Sequence, residues 1–159
     1  MKIHCATDQH VEVPYDKLNG VSFNNLNLHR AELEEKNLSM SSFVNSNLRG
    51  AFLFKANLEK CNLEGANLIV ADFREANLRE ANLKNSYANS ALFENANLQN
   101  ADLENANVAS ANFQNANLRG AIMKCFEIGS ATFENAVFDD TTVWPEYFDP
   151  IEKGAIKVG

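Results

Sequence analysis

The residues able to perform chemistry are few. The only histidines are His4, His10 and His29, and the only cysteines are Cys5, Cys61 and Cys125. His4, Cys5 and His10 lie close together in sequence, but their spacing matches no zinc pattern. Three cysteines, odd in number and without a C-x-x-C pair, read as free packing thiols rather than as a disulfide framework. No G-x-S-x-G elbow presents a nucleophile. No glycine-rich loop lies between a strand and a helix to cradle a phosphate. Carboxylates are plentiful, among them Glu59, Glu64, Asp72, Glu75, Glu80, Glu94, Asp102, Glu104, Glu134, Asp139 and Asp140. They would shift their pKa values only if an element brought them into a desolvated pocket.

The elements that would have to do so are set by an unusual period. Every fifth residue from Leu18 to Val143 is a large apolar residue, and the one exception is Ala88. Two residues before each such centre the chain prefers Ala, with Ser41, Ser46, Ser86 and Cys61 as substitutes. The residue between them is mostly Asn or Asp. On a helix a spacing of five rotates successive centres by about 140°, which smears them around every face. On a flat strand an odd spacing sends them to opposite faces. Only a chain that turns at every repeat points them all at one axis, which makes a solenoid whose coils complete their core by stacking.

A lag of twenty sorts the residue types best. Leu33 and Leu53 are followed by Phe73, Phe93, Phe113 and Phe133, while Leu18, Leu38, Leu58, Leu78, Leu98 and Leu118 form a leucine column ending at Phe138. The outward positions Asn37, Asn57, Asn77, Asn97 and Asn117 form an amide ladder. Such sorting is expected where identical side chains stack directly above one another. Four pentapeptides per coil is therefore the expected geometry. The carboxylates then fall on a convex exterior, so no catalytic residue, cofactor or metal is expected, and the chain reads as a protein that is not an enzyme.

The A-[ND]-[LF]-x-x register, as at 56–60 and 76–80, resembles the pentapeptide repeat family over residues 16–145. What that resemblance implies is an all-β fold: a right-handed quadrilateral parallel β-helix with the Leu/Phe centres and the small residues inside. Three segments are expected: an N-terminal cap over 1–15, the β-helix over 16–145 and a C-terminal cap or tail over 146–159. In the first, MKIHC and VEV read as a short strand pairing with the first coil. At the other end Trp144, Tyr147 and Phe148 suit the closing of an open apolar end. That stretch also resembles the tail of many bacterial, often cyanobacterial, members.

Composition limits the partners. With 159 residues and a formal charge of -7, a single domain without a general nucleic-acid-binding surface is expected. No stretch is apolar enough for a signal peptide or a membrane span, so a cytoplasmic protein is expected. Some proteins of the resembled family imitate DNA and bind type II topoisomerases such as DNA gyrase, protecting them from quinolones. Against that alternative, Arg49, Lys55, Lys60, Arg74, Arg79 and Lys84 are interspersed with Glu59, Glu64, Asp72, Glu75 and Glu80. The principal expectation is a protein-interaction or scaffolding module with an unidentified protein partner or a second copy of itself. The outward apolar residues Phe52, Phe54, Ile69, Val70 and Leu92 are the candidate patch for it, with Tyr87 and Ile122 standing alone.

Overall fold

The computed structural model describes residues 2–5, 9–13 and 17–159. The expected start of the repeats at residue 16 lies outside the described residues. The logic of the coil is complete in one pentapeptide, 76–80. The Ala76 N–H donates to the Phe73 carbonyl at 3.0 Å and closes a turn. The Asn77 N–H donates to the coil below, at the Ala56 carbonyl (3.0 Å), while those of Leu78 and Glu80 donate to the coil above, at Asn97 (2.7 Å) and Gln99 (2.8 Å). The remaining N–H, that of Arg79, donates to Oδ1 of Asn77 at 3.2 Å. All five donors are thus satisfied without a helix or an extended strand, as a packed backbone requires. The last of these bonds is why Asn or Asp precedes the centre: its short side chain reaches the N–H two residues on.

The corners have a second requirement. The last residue of nearly every pentapeptide has a positive φ, as in Met40 (58°), Lys60 (57°), Val70 (52°), Glu80 (57°) and Asn100 (56°). A positive φ at the third position is the mark of a type II turn. Glycine would adopt it without strain, but only Gly20, Gly50, Gly65 and Gly120 occupy such corners.

Parallel bridges run between residues twenty apart on all four sides, as in Asn57↔Asn77, Asn62↔Asn82, Asn67↔Tyr87 and Asp72↔Leu92. Four pentapeptides per coil follows directly. Inside, the expected core residues Leu58, Leu78, Leu98, Leu118, Phe73, Phe93, Phe113 and Phe133 are fully buried. The four phenylalanines form a parallel stack with centroids 5.1, 4.9 and 5.1 Å apart, within the favoured range for offset aromatic pairs. A second pair, Phe23 and Phe43, stacks at 4.8 Å on another side. Outside, the amides form the expected ladder, Asn77 Nδ2 donating to Asn57 Oδ1 at 3.1 Å and Asn97 Nδ2 to Asn77 Oδ1 at 3.4 Å.

The register slips twice. Phe126 bridges to Asn107, one residue early, and a 3-10 turn at Ile128–Ser130 restores the spacing, so that Thr132 bridges to Asn112. Later an extra residue enters at 139–142, and Val143 bridges to Ile122. Val143, a core centre by the count of fives, is therefore displaced outward and 38% exposed. Trp144 takes its place, meeting Phe133 and Phe138 edge-on at 5.6 Å each, and Phe148 stacks on it at 5.3 Å. Tyr147, grouped with them from sequence, is 95% exposed and contributes nothing to this plug. Beyond it, β4 (Ile156–Lys157) adds a parallel rung to β3 (Val137–Phe138). At the other end β1 (Lys2–Cys5) and β2 (Gln9–Glu12) pair antiparallel with each other, not as one strand along the coil. The hairpin joins the tower where the Glu32 N–H donates to the His4 carbonyl at 2.8 Å.

Candidate functional site

Of the histidines, His4 and His10 stand opposite each other across the β1–β2 hairpin, with Glu12 3.5 Å from His10 Nε2. Among the described residues no group of three or more His, Cys, Asp or Glu is placed to hold a metal ion. Burial pushes the Cys61 and Cys125 thiols up to about 12, and their sulfurs donate to the carbonyls of Leu38 (2.8 Å) and Leu103 (3.4 Å). They are packing groups rather than nucleophiles, since the thiolate is the reactive form.

The charges pair from coil to coil. Arg79 meets Glu59 at 3.4 Å, Lys60 meets Glu80 at 3.5 Å and Lys55 meets Glu75 at 3.5 Å. Lys84 bridges Asp102 (3.1 Å) and Glu104 (2.9 Å), which raises its pKa. Burial works against ionisation of Asp72, but two hydrogen bonds from the Arg74 side chain overcome it and hold that carboxyl below its ordinary range. Acid and base therefore alternate along the columns.

The expected patch is not continuous. Phe52 and Leu92 share one outward column but lie two coils apart, with Asp72 and its Arg74 partner between them. Arg30 lies over the Phe52 ring at 5.9 Å, and Lys55 (4.9 Å) and Arg74 (5.9 Å) lie over that of Phe54. These are cation–π contacts to half-buried rings, and each ring has a cation beside it. Ile69 and Val70 lie on the preceding side.

That preceding side is different in kind. Its pentapeptides 66–70, 86–90 and 106–110 read ANLIV, SYANS and ANVAS and contain no charged residue, whereas over the same three coils each of the other sides carries charges in at least two of its three pentapeptides. Val70 is 47%, Tyr87 56% and Phe126 60% exposed, all on this side or its corner. Glu127 and the Lys153 ammonium, which donates to the Gly129 carbonyl at 2.6 Å, mark its upper rim. Tyr87, Asn107 and Phe126 follow one another in a single outward column. Because Asn107 is shorter than the rings above and below it, a trough forms. It is a cleft of about 450 Å³ lined by Asn85, Ser86, Tyr87, Asn105, Asn107 and Phe126.

Local hydrogen bonding shows what Tyr87 costs. Where Asn107 stands, its Oδ1 accepts from the Ala109 N–H at 3.0 Å. Tyr87 has no such acceptor, and the corresponding N–H of Asn89 has no partner among the described residues. A capping bond of about 1 kcal/mol is forgone for an exposed ring. Sequence reading left Tyr87 isolated because Phe126 is nineteen residues from Asn107, off the twenty-residue lag, and only the shortened corner aligns it. The missing signal was available as the absence of charge from three successive pentapeptides at that lag.

The bridges at a lag of twenty, the inward Leu/Phe columns and the Asn ladders define a parallel β-solenoid built from pentapeptides. Residues 56–133 match the family model described as a pentapeptide repeat region, so that stretch is a pentapeptide repeat region. Among solved structures, the pentapeptide repeat protein Rfr23 from the cyanobacterium Cyanothece 51142 is 29% identical, with 81% of this chain and 88% of that one covered and a TM-score of 0.48. A trypsin-treated variant of QnrB1, a plasmid-mediated fluoroquinolone resistance protein, is 18% identical, with 92% and 86% covered and a TM-score of 0.51. At that identity the likeness to QnrB1 is one of fold. A comparison with curated proteins finds no match.

Proposed function

We propose that the protein is a non-catalytic interaction module: a right-handed four-sided β-helix that presents the uncharged stretch of one side to a protein partner. The observation that carries this reading is the convergence of Val70, Tyr87 and Phe126 on the side whose pentapeptides 66–70, 86–90 and 106–110 lack charge. Exposed apolar groups on a surface free of like charges are where association costs least desolvation. The rigid coil holds them in place before binding, which lowers the entropy lost on association.

The test is selection of random displayed peptides on the immobilised protein, followed by binding to the double variant Tyr87→Asp with Phe126→Asp. Both side chains project outward, so the variant retains the core. Loss of binding to the variant is expected. Selected peptides that bind the variant equally well would refute the assignment of this side. A second copy of the chain is the other partner class, and sedimentation of the same two proteins reads it out.

A second reading, a DNA-mimicking binder of DNA gyrase or another type II topoisomerase, draws on the likeness in fold to QnrB1. A mimic needs continuous negative potential to occupy a site built for phosphates. The alternating pairs at Glu59–Arg79, Lys60–Glu80 and Lys84–Glu104 weigh against it. The purified protein is expected to leave gyrase supercoiling unchanged with and without a quinolone, and protection or inhibition would reverse the order of the two readings.

A further inference from the structure

We propose that the trough between Tyr87 and Phe126 is a docking site for an uncharged, proline-containing peptide segment in the polyproline II conformation. The proposal rests on the reading of this side as a protein-binding surface and names the chemistry of its partner. Its first support is spacing. Tyr87 and Phe126 are two rungs apart in one column, with Asn107 between them. At about 4.8 Å per rung the backbone positions that carry the two rings are about 9.6 Å apart. A polyproline II helix advances about 3.1 Å per residue with three residues per turn, or about 9.3 Å per turn. Prolines one turn apart, in a P-x-x-P segment, therefore meet the two rings in register, as they do on aromatic-lined grooves generally.

The second support is the balance of donors. A polyproline II segment makes no internal hydrogen bonds and leaves its carbonyls exposed, and proline brings no N–H of its own. The trough supplies what such a segment needs. Oδ1 of Asn107 is already taken by the Ala109 N–H and by Nδ2 of Asn89 at 2.9 Å, so the floor offers its Nδ2 donor. The Asn89 backbone N–H and the side-chain amides of Asn85 and Asn105 make no hydrogen bond to the described residues. A neutral glycan would also stack on the rings, and its hydroxyls would meet both donors and acceptors here, Ser86 Oγ among them, so the experiment includes one as a competing ligand. The cleft, about 450 Å³, is an open trough, as suits a segment laid across the surface rather than a ligand enclosed by it. The absence of charge from 86–90 and 106–110 matches an uncharged segment.

Isothermal titration of the full chain with acetylated, amidated decaproline tests the proposal, with a Gly-Ser decapeptide and cellohexaose as the comparison ligands. Saturable binding of decaproline alone is expected, weakened at least about fivefold by Tyr87→Ala and likewise by Phe126→Ala, as for aromatic anchors. Tyr87→Phe, which keeps the ring, retains most of the affinity. Unchanged Trp144 emission certifies that each variant is folded. Absence of saturable binding at about 1 mM decaproline, or affinity indifferent to Tyr87→Ala, overturns the proposal. Cellohexaose binding that depends on Tyr87 and Phe126 overturns it in favour of a glycan. Displayed peptides that require Tyr87 and Phe126 but contain no proline overturn the polyproline assignment while leaving the interaction reading in place.

Discussion

Raising the pH should destabilise this protein through two buried thiols. Cys61 and Cys125 are 1% and 8% exposed, and burial lifts both from 9.0 to about 12. In the unfolded chain they ionise near the ordinary value, while in the folded chain they stay neutral. A raised folded pKa contributes stability that is complete below the unfolded value and is lost as pH climbs toward the folded one. The window is thus pH 9 to about 12. Each thiol weakens the fold by about 1.4 kcal/mol per pH unit there, or on the order of 3 kcal/mol by two units above the unfolded value and roughly twice that for the pair. The control is the double variant Cys61→Ala with Cys125→Ala. Alanine is what the same inward columns use at Ala81, Ala101 and Ala66, Ala106, so the variant should fold normally at neutral pH. Urea unfolding from pH 8 to 11 measures the difference between the two proteins, which removes the lysine and tyrosine titrations common to both. A wild type that loses no more stability than the double variant across this window would show that these thiols do not titrate on unfolding, and the argument from burial would fail.

Other perturbations have definite outcomes. Phe93→Ala removes a ring held between Phe73 and Phe113 at 5.1 and 4.9 Å and should cost about 3–5 kcal/mol in urea unfolding. Leu98→Asp puts a charge among fully buried side chains and should prevent folding, seen as loss of the cooperative transition. Asn77→Ala deletes the acceptor for the Arg79 N–H and two ladder bonds; a cost of about 1–2 kcal/mol is expected, with Asn77→Asp recovering the turn but not the donation to Asn57. Trp144→Ala uncovers Phe133 and Phe138 at the open end of the core, and should lower stability by about 3–5 kcal/mol while raising binding of an apolar dye.

How much of this was legible beforehand varies with the kind of interaction. The inward columns were readable because burial repeats at a fixed interval and needs only residue type, as at Leu98 and Phe93. The ends were less so. Val143 satisfies the count of fives, yet the extra residue at 139–142 hands its place to Trp144. An insertion of one residue changes no composition, only the path of the corner. The candidate patch failed as a patch for a similar reason: Phe52 and Leu92 do share a column, but whether Asp72 interrupts them and cations lie beside the rings is a matter of side-chain geometry.

The sequence by itself determined the five-residue period, the four-sided coil and the identity of the core, because each follows from which residues must leave water together. It also left an oddity, a chain that turns at every fifth residue with only 7 glycines. The tertiary structure resolved it. Residues such as Met40, Lys60 and Glu80 adopt a positive φ, at roughly 1–2 kcal/mol each for a non-glycine residue, since only then does the corner N–H reach the next coil, as Glu80 reaches Gln99 at 2.8 Å. That partner lies nineteen residues away along the chain and exists only once the coils are stacked. The same holds for the trough at Tyr87 and Phe126. Each ring is visible in the sequence, but their alignment over Asn107 depends on one corner being a residue short.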